Sequence, residues 1–139
     1  MKVTPLKFDE FYVVRLNPGD DILLSLRKAV KENNIHNGVI LEGVGSVTSH
    51  HFHVVSSSIN PPKEIYVKAE APADIVNING MVINDRIHAH ITFTNDKVAY
   101  GGHLEEGVKV LTFSVIVIAK IEDDLSDFDS IGKIEDYRP

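Results

Sequence analysis

The alternation of apolar and polar residues predicts that most of this chain forms β-strands. Short runs rich in β-branched and aromatic residues recur between residues that favour turns. The predicted strands cover residues 11–16, 38–47, 50–55, 64–69, 75–83, 87–94, 98–103 and 109–120. Gly43 and Gly45 would permit a bulge or a close backbone approach in the second strand. The segment SSSINPP, from Ser56 to Pro62, predicts a surface loop.

One segment has the period of a helix instead. From Ile22 onward, apolar residues recur at helical spacing while lysines and a glutamate face away. Asp20 or Asp21, just before this segment, can accept hydrogen bonds from the free N–H groups of the first turn. We therefore predict one amphipathic helix that ends near Asn33 and Asn34.

The last predicted strand, KVLTFSVIVIAK, is apolar on both faces. One face carries Leu111, Phe113, Val115 and Val117, and the other carries Val110, Ile116 and Ile118. We expect both faces to be buried. Because one helix cannot cover both sides of a wide sheet, we expect another subunit to cover part of the second face.

Length and composition predict a single domain over residues 1–139. A chain of 139 residues with 43% hydrophobic residues is long enough to bury one core. Residues 122–139 form an acidic C-terminal tail, which we expect to dock in part on the domain. No apolar segment has the length of a signal peptide or a membrane span, so we expect a cytoplasmic protein without membrane contact.

Charge and the absence of cysteine narrow the candidate chemistry. The 14 Lys and Arg residues against 20 Asp and Glu leave a net charge of −6, which opposes broad binding to nucleic acid phosphates. The chain contains no cysteine, so disulfides, thiolate ligands and a cysteine nucleophile are excluded. Any metal chemistry must use histidine and carboxylate side chains.

Three histidines have the spacing of a metal site. His88 and His90 alternate with apolar residues in RIHAHITFT, so both side chains leave the apolar face of one strand. His103 lies in the next predicted strand, after the turn sequence TNDKV. Three neutral imidazoles suit Zn²⁺ or another divalent transition metal, and they leave a fourth position for water or a ligand.

The length of the hairpin loop decides which histidines face each other. A two-residue turn at Asn95 and Asp96 places His88 opposite His103, whereas a four-residue loop places His90 opposite His103. Either register puts the three imidazoles on one face. A three-residue loop would break this parity unless a bulge at Gly101–Gly102 restored it, and these glycines also let another group approach closely.

Other polar residues are weaker candidates. Glu42 and Glu105 could act as a general base or as carboxylate partners of a metal-binding histidine, although ordinary surface carboxylates are the simpler interpretation. His51 and His53 share a face of their strand, but no partner strand can be identified for them. We interpret the cluster of His50, His51 and His53 as surface histidines.

Several motifs resemble the PPC family, the plants and prokaryotes conserved domain. They are LNPGDDILLSLRKAVKENNI, LEGVGSV, IHAHITF and VAYGGHLEEG, in the family's order and over most of the chain. The resemblance implies an α+β fold, in which a mostly antiparallel, strongly twisted β-sheet packs with one main α-helix and assembles as a homotrimer. It also implies metal on the H-x-H and Gly-Gly-His histidines, here His88, His90 and His103. The family pattern does not use His50, His51 or His53.

Two functions follow as hypotheses. The first is a metal-binding homotrimeric domain, with zinc as the expected metal, that binds a protein partner or a small ligand. The second is a zinc-dependent enzyme with an open coordination position. Prokaryotic relatives are often named as predicted DNA-binding proteins, and plant relatives bind DNA through separate AT-hook segments. This chain has no such hook, so the residues give little support to direct DNA binding.

Overall fold

The computed structural model describes residue 1 and residues 3–128 of the chain. Within these residues it contains one α-helix and a sheet of eight strands. In chain order the elements are β1 Phe8–Leu16, α1 Ile22–Glu32, β2 Gly38–Val47, β3 His50–Val55, β4 Glu64–Ala69, β5 Ala73–Ile83, β6 Arg86–Thr94, β7 Ala99–Leu104 and β8 Val110–Ile121, followed by a 3₁₀ turn at Ser126–Phe128.

The predicted elements are confirmed, with shifts of a few residues at their ends. The largest shift is in β1, which begins at Phe8 and contains an irregularity between Phe8 and Phe11. The helix is capped by Asp21, whose side chain accepts a hydrogen bond of 3.1 Å from the backbone N–H of Leu24. Asn33 forms the C-cap, as predicted.

The sheet order is β1-β8-β2-β5-β6-β7-β3-β4, and every neighbouring pair is antiparallel. The α+β class with an antiparallel sheet and one helix is thus confirmed. Strand β2 is irregular at two places along β8, one of them near Gly45. Gly45 has φ +151°, and a Cβ there would lie 2.2 Å from the carbonyl oxygen of Phe113, so the position requires glycine.

The helix covers one face of the sheet, which we call the inner face. Ile22, Leu26 and Val30 of the helix are almost fully buried and belong to one apolar cluster with residues from seven strands. In β6 the inner residues are Ala89, Ile91 and Phe93. Burial of this apolar surface is the main stabilising contribution to the fold.

The opposite face, the outer face, is only partly covered within one chain. Leu111 and Phe113 of β8 are 42% and 43% exposed, so one chain alone does not bury this face, and its coverage by another subunit stays a prediction. The inner side chains Ile116 and Ile118 are fully buried. The difference arises because α1, the chain's helix, packs on the inner face.

The segment after β8 covers one part of the outer face. Leu125 is buried against Ile83 and Ile121 in a small apolar cluster, with Phe128 packed beside it. Leu125 thus docks the first part of the acidic tail on the sheet, and residues 129–139 of the predicted tail lie outside the described residues. No helix among the described residues is long and apolar enough to cross a membrane.

Candidate metal centre

The hairpin of β6 and β7 has the register of the four-residue loop. Thr94 pairs with Ala99, and His90 pairs directly with His103. The Asn95 side chain closes the loop by accepting hydrogen bonds of 2.9 and 3.1 Å from the N–H groups of Lys97 and Val98. The pairing from Thr94–Ala99 to His90–His103 runs without a bulge.

This register places the three predicted histidines together on the outer face. Their ring centroids are 4.7 Å apart for His88 and His103, 5.4 Å for His88 and His90, and 5.8 Å for His90 and His103. The alternate residues of β6, including Ala89 and Ile91, point into the inner core. The buried apolar side chains of β6 therefore fix the position of the strand that carries His88 and His90.

His53 also lies in this group, which contradicts its interpretation as an isolated surface histidine. β3 runs beside β7 and pairs His53 with His103, and the two rings stack with centroids 4.4 Å apart at an interplanar angle of 20°. A row of directly paired residues thus crosses the outer face: Asn79, His90, His103, His53 and Tyr66. The sequence did show a second H-x-H pattern, at His51 and His53. It did not show that β3 pairs with β7, which is what brings His53 to the site.

Carboxylates border the row on the His53 side. Glu105, one residue beyond β7, places Oε1 2.6 Å from Nδ1 of His53 and 3.5 Å from Nδ1 of His103. Glu64 of β4 places Oε1 3.6 Å from Nε2 of His53, and it accepts a hydrogen bond of 3.0 Å from the hydroxyl of Tyr66. Glu105 is therefore a partner of the histidine group rather than a free surface carboxylate.

The surroundings of His88 and His103 lower the pKa values of both imidazoles. Burial, with a smaller effect from nearby His53 and His88, lowers the pKa of His103 to about 4. Burial and the neighbouring His90 and His53 also lower the pKa of His88 below its usual value. At neutral pH the contact between His103 and Glu105 is therefore not an ion pair, and His103 is in the form that binds metals.

One set of donor atoms in the histidine group, which includes His103 but neither His88 nor His90, has spacing that suits a divalent metal. Nδ1 of His103 is buried and has no hydrogen-bond partner among the described residues, which is costly for a polar atom. Ligand atoms of His53, His103 and Glu105 all lie within 4.8 Å of one another. Nitrogen and oxygen donors at such spacing suit zinc and similar ions.

A wide groove opens beside the histidines. It has a volume of about 890 Å³ and is lined by side chains of the histidine group and by the loop between β3 and β4, including Ser57, Ile59 and Asn60. The predicted loop over residues 56–62 thus forms one wall of the candidate site. The groove is large enough for a small ligand.

Glu42 does not join this site. It lies on β2, opposite Val117 of β8, and β5 separates β2 from β6. Of the other histidines, His50 packs among Phe52, Phe93 and Tyr100 toward the core, whereas His51 contacts the backbone oxygen of Glu106 at 2.7 Å. The structure thus brings together His88, His90, His103 and Glu105 of the predicted candidates, and adds His53.

The chain is similar in sequence to part of a longer curated protein. The bifunctional protein GlmU of Synechococcus sp. (strain JA-3-3Ab) is 27% identical over 109 residues, which are 78% of this chain and 17% of that protein. The chain therefore spans about 17% of the length of this curated relative.

Solved structures share the fold. A metal-containing protein from Archaeoglobus fulgidus superposes with a TM-score of 0.77 at 21% identity, over 89% of this chain and 88% of that chain. A Bacteroides thetaiotaomicron protein provisionally named as DNA-binding gives a TM-score of 0.73 at 20% identity, over 86% of both chains. The family model described as the Plants and Prokaryotes Conserved (PCC) domain matches residues 5–122. The chain therefore belongs to this family, which is also written PPC.

Proposed function

We propose that this chain is a metal-binding domain that assembles as a homotrimer in the cytoplasm and binds a protein partner or a small ligand. The observation that carries the proposal is the cluster of His88, His90 and His103 on one face of the sheet, with ring centroids 4.7 to 5.8 Å apart. The metal that we propose for these histidines is Zn²⁺ or another divalent transition metal. The Archaeoglobus fulgidus neighbour is named as metal-containing, which supports a metal without identifying it.

The trimer part rests on the apolar strip of the outer face. Val13, Leu41, Val44, Leu111 and Phe113 are between 42% and 70% exposed. They lie on three adjacent strands, β1, β8 and β2. Single exposed apolar residues are common, but a contiguous strip favours a protein interface. Two further copies of this chain are the proposed occupants, in keeping with the family resemblance.

Elemental analysis tests the metal part. Protein purified without affinity resin or chelator is compared with the variant His88→Ala/His103→Ala and with His36→Ala, a control at an exposed histidine that contacts Asp85. The proposal predicts about one metal ion per chain in the wild type and in the control, and near zero in the double variant. Absence of metal from all three proteins would refute it.

The second candidate is a zinc-dependent enzyme, and the groove beside the histidines favours it. A metal with an open position can supply an activated water, and Glu105 lies where a carboxylate could accept a proton. The candidate predicts hydrolysis of a substrate by the wild type and its loss in His88→Ala. A screen of ester, amide and phosphate substrates without metal-dependent turnover would count against it.

A further inference from the structure

A patch of six paired residues on the outer face carries opposite charges at opposite corners. It consists of two neighbouring rows across β1, β8 and β2: Arg15, Val115 and Val44 in one row, and Val13, Val117 and Glu42 in the next. Directly paired residues leave the same face of a sheet. Ile116, between the two rows on β8, is fully buried in the core on the inner face, so the six side chains lie on the outer face.

The two charged corners have no opposite charge beside them in one chain. Arg15 and Glu42 are both exposed, and neither forms an ion pair with another of the described residues. The Arg15 guanidinium donates a hydrogen bond of 2.7 Å from Nη1 to Oδ1 of Asn17. An arginine carries five N–H donors, so others are left for a carboxylate. Both charges can therefore pair with a group from outside the chain.

The apolar residues around these charges decide what that group must be. Val13 and Val44 are 70% and 42% exposed, and Phe113, two residues before Val115 on β8, is 43% exposed. A partner that covers them also removes water from Arg15 and Glu42. A desolvated charge without an opposite charge is costly. The partner must therefore present a carboxylate to Arg15 and a cation to Glu42.

A second copy of this chain meets both requirements, because it carries the same patch. We infer that copies of this chain meet through this patch, with Arg15 of one subunit paired with Glu42 of the next. The inference rests on the assembly in the proposed function and adds the charge pair that orients it. In a ring of three, each chain contributes Arg15 to one contact and Glu42 to the other. The valines supply the apolar contact, and the charges select its orientation.

Reversal of the two charges tests the inference. The association of wild type, Arg15→Glu, Glu42→Arg and the double variant Arg15→Glu/Glu42→Arg is measured by fluorescence-detected sedimentation from nanomolar to micromolar concentration. Each single reversal places like charges in every contact, so association should weaken at least about 30-fold. The double variant exchanges the charges and should regain most of the wild-type affinity. Lys31→Glu, an equal change of net charge on the exposed side of α1, should associate as the wild type does.

The outcomes separate the charge pair from the proposed assembly. Wild-type association in both single variants, or a double variant no stronger than the single ones, would overturn the pair and keep the trimer. A wild type that stays monomeric would refute the proposed trimer, and the pair with it. Circular dichroism checks that each variant is folded. Where a reversal does not fold, a double-mutant cycle with Arg15→Gln and Glu42→Gln decides, since additive losses would overturn the pair.

Discussion

The two faces of strand β6 differ in nearly every physical property, although they are built from alternate residues of one segment. On the inner face, Ile91 and Phe93 are 1% and 0% exposed within the apolar core. On the outer face, His88 and His90 border an open groove. Packing in the core therefore restricts the residues of the inner face. The chemistry of the outer face depends on which strands pair beside β6.

Substitution on the inner face should have the largest effect on stability. Ile91→Ala removes buried methyl groups and leaves a cavity, so we expect the free energy of unfolding to fall by about 2 to 5 kcal/mol. Thr92→Ala, at an exposed position next to it on the outer face, should change this free energy by less than about 1 kcal/mol. Urea unfolding measures both. Equal losses would contradict the assignment of the two faces.

Substitution in the apolar strip should change assembly and leave the monomer folded. Phe113→Glu places a charge in the proposed subunit contact, so the mass from light scattering should fall from that of a trimer to that of one chain. Leu24→Glu is the matched control, because Leu24 is 47% exposed on the helix, which covers the inner face of the sheet, whereas the strip lies on the outer face. A monomeric wild type would contradict the trimer, and so would a trimeric Phe113→Glu variant.

Acid should destabilise the metal-free protein through His103. The folded pKa, about 4, is lower than the ordinary value of 6.5, so the unfolded chain binds the proton more readily. The contribution of neutral His103 is complete above pH 6.5 and is lost progressively as pH falls toward 4. His103→Gln should therefore show a shallower decrease in the free energy of unfolding over this range. Identical slopes for the two proteins would contradict the neutral, partly buried imidazole.

The smallest effect is expected with DNA. The net charge of −6 gives little electrostatic attraction to phosphates, so we expect no shift of duplex DNA even at low ionic strength. Gel-shift or anisotropy measurements with random-sequence duplexes check this. Binding that weakens steeply with added salt would contradict it and would support the role after which the Bacteroides thetaiotaomicron neighbour is provisionally named.

The sequence predicted the elements and the facing of His88, His90 and His103, because alternation along a strand fixes which side chains share a face. The turn sequence left two registers open, and the hydrogen bonds of the Asn95 side chain accompany the longer loop. These choices depend on local geometry, which a pattern of residue types describes only in part.

His53 could not be predicted, because its place depends on the pairing of β3 with β7, and β4, β5 and β6 lie between these two strands in the sequence. Local patterns carry no information about such long-range pairing. The extent of exposure on the outer face of β8 was also beyond what the pattern could predict. An apolar pattern cannot distinguish burial within one chain from burial between chains.

The position of the metal tests the central claim most directly. Crystals of protein loaded with zinc would give an anomalous scattering peak at the zinc absorption edge. The account predicts one peak per chain at about 2.0 to 2.1 Å from ring nitrogens of His88, His90 and His103. A fully loaded crystal with no peak there, or with zinc only at an exposed pair such as His36 and Asp85, would contradict it.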